Sequence, residues 1–215
     1  MRGRPVPDFR GGGLVRQAPR LIRHDGAMIV HTSPVTLFER VRDLPYDTAA
    51  AYDAGGLRTT GQGNCVAKAA LLAEELGALD VPCRTVSWEY ELPLLVDVQQ
   101  RLGFRTDIHT AVQAHVDGRW VLVDATHDPP LGALGLTVGR WDGRSATEPA
   151  YQPIGQCVVL GQDGPGSARL HEAMERIGRQ VEATRPELIT QYRDELNALF
   201  ESCRQGRGPV PSASE

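Results

Sequence analysis

Gly61-Gln62-Gly63-Asn64-Cys65-Val66-Ala67-Lys68-Ala69-Ala70-Leu71-Leu72-Ala73-Glu74-Glu75-Leu76-Gly77 is the stretch whose reading decides the fold. Gly61 and Gly63 give a flexible approach, and Asn64 is a residue type that caps a helix by accepting a backbone N–H. Val66, Ala69, Ala70, Ala73 and Leu76 recur at three- and four-residue spacing, the apolar stripe of a helix. Glu74 and Glu75 turn outward, and Gly77 is a stop signal. Cys65 therefore stands at a helix start, where the dipole favours negative charge and free backbone N–H groups can receive an oxyanion. The thiolate is the form of cysteine that attacks a carbonyl.

Working outward, the next strong pattern is a hairpin, Ile108–Val116 and Arg119–Ala125, around the two-residue turn Asp117-Gly118. If those two residues form the turn, Val116 faces Arg119, and Asp124 faces Ala111. Side chains alternate along a strand and opposed residues share a face. His109 then lies on the face of Asp124, diagonal to it and within side-chain reach. His115 shares that face but sits opposite Trp120, too far along; His127 would face Ile108 and point away. The register selects His109 as a base for Cys65 and Asp124 as the group that orients it. A lone cysteine, strand histidine or strand-end aspartate is ordinarily structural; the weight rests on three that can converge.

The flanking chain reads as a mixed α and β domain. Residues 1–26 form a Gly/Pro/Arg-rich arm expected to be poorly ordered, or a docking tail for an acidic partner. Met28 to Val30 suits a short strand. Thr36–Asp43 has helical spacing, with Ser33 or Thr36 as cap. Ala49–Ala54 is a weakly patterned connection that Gly55 and Gly56 break. Cys83–Trp88 and Ile154–Gly161 are expected strands, while Leu94, Leu95, Val98 and Leu102 have helical spacing. Ser167–Gln205 reads as two helices, the second opened by a capping box of Thr184 and Glu187. These could pack on the body or serve as a homodimer arm. The expected organisation is thus 1–26 arm, 27–165 catalytic domain, 166–205 helical segment and 206–215 flexible tail.

Composition excludes several classes. A hydrophobic share of 41% with 23% charged residues is that of an ordinary globular protein. The net charge of -4 argues against general nucleic-acid binding. The four cysteines, Cys65, Cys83, Cys157 and Cys203, form no CxxC pair and no zinc-ligand spacing with histidine. No metal, organic cofactor or disulfide framework is expected. With no apolar leader and no run of membrane-spanning length, the expected compartment is the cytoplasm.

Gly63-Asn64-Cys65 with Lys68-Ala69-Ala70-Leu71-Leu72 and Val81-Pro82-Cys83-Arg84 resembles the nucleophile helix and following strand of the transglutaminase-like superfamily. His109, the Asp117-Gly118-Arg119-Trp120 turn and Asp124-Ala125-Thr126 resemble the rest of its Cys-His-Asp core, and Leu37–Tyr46 the helix before it. The likeness covers roughly residues 36 to 128. It implies a papain-like α+β fold, a nucleophile helix on an antiparallel sheet, and thioester chemistry at Cys65. The expected reaction is hydrolysis of an amide or peptide bond. The alternatives are acyl transfer to an amine acceptor and an inactive binding module. Gln62 is an oxyanion-hole candidate by that resemblance; Trp88, Glu89 and Glu91 are candidates for contacting a peptide or small acyl substrate. Lys68 stands where an acidic residue is common, as a solvated lysine or an aid to the thiolate, and Ala111 where Trp is frequent. Residues 89–107 match nothing in the family and are expected to shape the substrate site.

Overall fold

The computed structural model describes residues 32–207; the expected arm, the Met28–Val30 strand and the tail beyond Arg207 lie outside them. Helix α1 (Pro34–Arg42) starts where Ser33 Oγ accepts from Thr36 N at 3.1 Å, with Pro34 in its first turn. β1 (Tyr46–Ala51) and α2 (Ala54–Thr60) follow, then α3 (Cys65–Gly77). Strands β2 (Cys83–Glu91), β3 (Thr106–Val116), β4 (Arg119–Val123) and β5 (Pro153–Val159) form one antiparallel sheet in the order β4-β3-β2-β5. Helices α4 (Pro165–Ala183) and α5 (Pro186–Arg204) close the described chain. The fold is of the expected α+β class: a helix that starts at Cys65 on an antiparallel sheet, with C-terminal helices. None of the described helices is long and apolar enough to cross a membrane.

The hairpin has the expected register. Val116 pairs with Arg119, His115 with Trp120, and Val112 with Val123. Its turn has φ of 49° at Asp117 and 80° at Gly118, the two positive values that a two-residue turn of this twist requires. Alternation along β3 divides the core. Val112 and Ala114 pack with Phe38, Leu57, Leu71, Leu72 and Leu76 of α1–α3. Ala111 joins Val86, Trp88, Tyr90 and Tyr151 in a second cluster, which Leu196 and Phe200 of α5 complete. Cys65 packs against that second cluster, so the body of α3 lies in one core and its first residue in the other.

Four local expectations need correction. Gly55 and Gly56 do not break the chain but open α2, because Asp53 Oδ1 accepts from Gly56 N at 2.8 Å and Leu57 is wholly buried. Part of the expected connection from Ala49 is strand β1, which holds the approach to α3: Gly63 N donates to Pro45 O and Asn64 N to Ala51 O, both at 3.2 Å. Thr184 builds no capping box. Its Oγ1 donates to Gln180 O at 2.7 Å and ends α4, while Pro186 fixes the start of α5 one residue too late for it. The helical spacing at 94–102 yields only a 3₁₀ turn, Asp97–Arg101, that seats Val98 and Leu102 against Phe104 and Leu188.

Gly139 passes so close to the sheet end that a Cβ there would lie 2.2 Å from Asp124 O and 3.3 Å from Phe38 Cζ. Gly139→Ala is expected to displace the Asp124 backbone and to cost about 3 kcal/mol or more. Urea unfolding measures this; a loss under about 1 kcal/mol would mean the segment yields freely.

Candidate active site

Three elements bring three side chains together. Asn64 Oδ1 accepts from Ala67 N at 3.1 Å, so Asn64 caps α3 as expected and leaves Cys65 half-buried at the helix tip. β3 carries His109, wholly buried, and Asp124 follows β4 with 1% exposure. His109 Nε2–H donates to Asp124 Oδ2 at 2.9 Å, the diagonal contact that the register demands. The aspartate is saturated by donors: Ala150 N at 2.8 Å on Oδ2, and Thr126 Oγ1 at 2.7 Å with Thr126 N at 3.2 Å on Oδ1. Trp88, Tyr151 and Tyr90 wall the imidazole edge-on, with ring centroids 4.8, 5.1 and 6.1 Å away. With Nε2 committed, Nδ1 is the ring nitrogen left for Cys65, and it is buried without a hydrogen-bond partner.

The electrostatics follow from burial and partners. Burial pulls the His109 ring down, but the Asp124 carboxylate beside it, and then Cys65, outweigh that pull and push it up to about 10. Burial raises Asp124, yet His109, Thr126 and the Ala150 N–H together hold it at about 2. Both shifts favour the imidazolium–carboxylate form of the pair.

Lys68 departs from the expected solvated side chain. It is 1% exposed, and its Nζ donates to Arg42 O at 2.8 Å, Leu44 O at 2.7 Å and Thr126 O at 2.7 Å. Burial draws its pKa down to about 7, against the attraction of Asp128 and Asp124. Three carbonyl acceptors match the three N–H donors of an ammonium. Lys68 thereby ties the end of α1 and the Asp124–Thr126 turn to α3. Val66, expected in the buried stripe, is instead exposed at 39% beside Cys65, and Lys68 occupies the buried face.

His127, set aside by the register, is buried beneath the site. Its Nδ1–H donates to Thr137 O at 2.9 Å, and Tyr151 O–H donates to its Nε2 at 3.0 Å. Burial lowers its pKa to about 4, so it is neutral. The unfolded chain, at about 6.5, binds the proton first. Stability should therefore be complete above pH about 6.5 and fall by about 3 kcal/mol as pH drops to about 4. Urea unfolding between those pH values should show this slope in the wild type and a flatter one in His127→Gln; equal slopes would remove the assignment.

The other candidates do not line the cavity beside Cys65. A cavity of about 270 Å³, partly open to solvent, is lined by Cys65, Asn64, Tyr46, Tyr90 and Tyr151, with further walls from 92–104 and α5. Gln62 is exposed and outside that lining. Trp88 and Tyr90 share one face of β2 and Glu89 and Glu91 the other, by the two-residue alternation. Trp88 is buried behind His109, donating from Nε1 to Tyr151 O at 2.9 Å. Glu89 pairs with Arg176 of α4, and Glu91 is exposed. None of the three lines the cavity. Within residues 89–107, Tyr90, Leu92, Leu95, Phe104 and Asp107 line that cavity. Tyr90 was legible as the alternate partner of Trp88; Tyr151 stands in an irregular loop with no pattern to mark it.

The family model for the transglutaminase-like superfamily matches residues 32–125. No curated protein matches the chain. Among solved structures, a candidate cysteine protease from Cytophaga hutchinsonii is 19% identical, over 64% of this chain and 48% of its own length, with a TM-score of 0.35. This chain thus spans about half the length of that structure. The family match supports a cysteine-based catalytic function in general terms. Across residues 32–125, which hold Cys65, His109 and Asp124, this chain is similar to the transglutaminase-like superfamily.

Proposed function

We propose that this protein is an acyl-transfer hydrolase in which Cys65 forms a thioester with the acyl part of an amide substrate. The observation that carries this is the orientation of His109: Asp124 holds Nε2, and the unpartnered Nδ1 is left for the sulfur at the tip of α3. The thiolate electron pair forms the S–C bond while the carbonyl π pair moves to oxygen. The first-turn N–H of Cys65 receives that oxyanion, with Gln62 as the side-chain candidate for the same role. Collapse breaks the C–N bond, and the leaving amine takes the proton from His109 Nδ1. Water then attacks the thioester, its proton passes back to Nδ1, and the carboxylic acid leaves as the thiolate re-forms. Transfer to an amine in place of water is the second reading, favoured by the Trp88, Tyr90 and Tyr151 rings that wall His109 and limit the approach of water to it.

The test is to mix the protein with a p-nitrophenyl ester, quench in acid, and locate the added acyl mass by peptide mapping. One acyl group on Cys65 is expected. Cys83, Cys157 and Cys203 serve as internal controls. No adduct, or labelling of exposed Cys157 at the same rate as Cys65, overturns the reading in favour of a non-catalytic binding module.

A further inference from the structure

We propose that the cavity beside Cys65 is an acyl pocket for a small, neutral, apolar acyl group, with α5 as its far wall. This inference rests on the acyl-transfer reading and names the substrate class for it. The argument starts from size. About 270 Å³ holds about nine water-sized groups at roughly 30 Å³ each, just under the range of drug-sized ligand sites. A short chain or single ring fits there.

The lining then sets the chemistry. Tyr90 and Tyr151 stack with centroids 4.0 Å apart next to Cys65, and Leu92, Leu95 and Phe104 face Ile189 and Leu196 of α5. The uncharged polar groups of the lining are Thr48, Asn64 and the tyrosine hydroxyls; Leu92, Pro93, Leu95, Phe104, Ile189 and Leu196 leave unpaired, at a cost, the N–H and C=O that each residue of an extended peptide would bring. An acyl chain or ring brings neither. The two charged residues of the lining are Asp107 and Arg193, one of each sign, so the walls carry no net charge to select an ionic acyl group. Asp107 lies two residues before His109 and on the same face of β3.

The far wall is anchored. Arg204, at the end of α5, donates from Nε to Asp128 Oδ2 at 2.9 Å and from Nη2 to Tyr46 O at 2.7 Å. Asn197 Oδ1 accepts from Thr48 N at 3.1 Å. These bonds tie α5 to β1, the strand that also holds the approach to Cys65, and so set the pocket width relative to the nucleophile.

The test compares p-nitrophenyl acetate, phenylacetate and dodecanoate, each rate divided by that ester's hydroxide rate. The phenylacetyl ester should exceed the acetyl and dodecanoyl esters in kcat/KM by about tenfold or more. Ile189→Trp and Leu95→Trp, which fill the cavity from opposite walls, should each cut the phenylacetyl-to-acetyl ratio by about tenfold. Two variants are used so that one misfolded protein does not decide the matter. Acylation of Cys65 with no size preference, or ratios unmoved in both variants, overturns the pocket and leaves the acyl-transfer reading standing. Binding of phenylacetamide to Cys65→Ala, followed by ligand-observed NMR, reads the pocket without any chemistry. Binding there that Ile189→Trp or Leu95→Trp removes supports the pocket, even if no ester acylates the wild type and the reading above falls. No binding overturns it.

Discussion

Asp124→Asn is expected to lower kcat/KM for a phenylacetyl ester by about 10⁴-fold, the size of effect seen when a triad aspartate can no longer hold its histidine in one tautomer. The reason lies in the donors around the carboxylate. Oδ2 faces His109 Nε2–H and Ala150 N–H, and Oδ1 faces the N–H and O–H of Thr126. An asparagine NH₂ must meet a backbone N–H on either side. If it takes the Oδ2 side, His109 accepts at Nε2 and turns Nδ1–H towards the sulfur, so the base is lost. If it takes the Oδ1 side, the Thr126 turn opens. Lost hydrogen bonds to a buried charge should also cost about 2–4 kcal/mol, lowering the melting temperature by about 5–15 °C. A second readout is the alkaline limb of stability. The pKa of folded His109 is raised to about 10, so its contribution is complete below about 6.5 and fades as pH rises through about 10. Without the carboxylate that fade should begin at lower pH. Activity within about tenfold of wild type would show that Asp124 does not orient the base.

Lys68→Met is expected to be the most destabilising change of similar volume, by about 3–5 kcal/mol, or about 8–15 °C in melting temperature. Methionine fills the space but donates nothing to Arg42 O, Leu44 O and Thr126 O, and each buried carbonyl left alone costs about 1–3 kcal/mol. Loss of the desolvated charge offsets part of that cost. Because Thr126 is one arm of the clamp on Asp124, kcat should fall with stability, whereas KM for a small ester should move little. Lys68→Arg, whose longer fork cannot enter the same three-carbonyl site, should not restore the fold. A variant that melts within about 2 °C of wild type would show that the three carbonyls find water or each other.

Some of this was legible because it is local. The Asp117-Gly118 turn admits one favoured register, and that register alone puts His109 diagonal to Asp124 and His115 opposite Trp120. Asn64 caps α3 because a short side-chain oxygen beside a free N–H needs nothing from the rest of the molecule. The motifs from Gly63 to Asp124 lie within the family match at 32–125. Errors arose where two local rules competed and packing chose between them. Gly55 and Gly56 became helical once Asp53 and Leu57 were placed, and Thr184 served the helix before it and not the one after.

The amino-acid sequence by itself determined that Asn64 opens the helix at Cys65 and that the Asp117-Gly118 hairpin pairs in one register, and so which histidine meets which aspartate. Each of these is settled by neighbours within a few residues or across one tight turn. Only the tertiary structure decided that Lys68 is a buried clamp, that Tyr151 walls His109, and that α5 lines a cavity beside Cys65. Those depend on desolvation and on carbonyls and rings brought from remote parts of the chain, and burial is a property of the assembled core that no stretch of sequence carries alone.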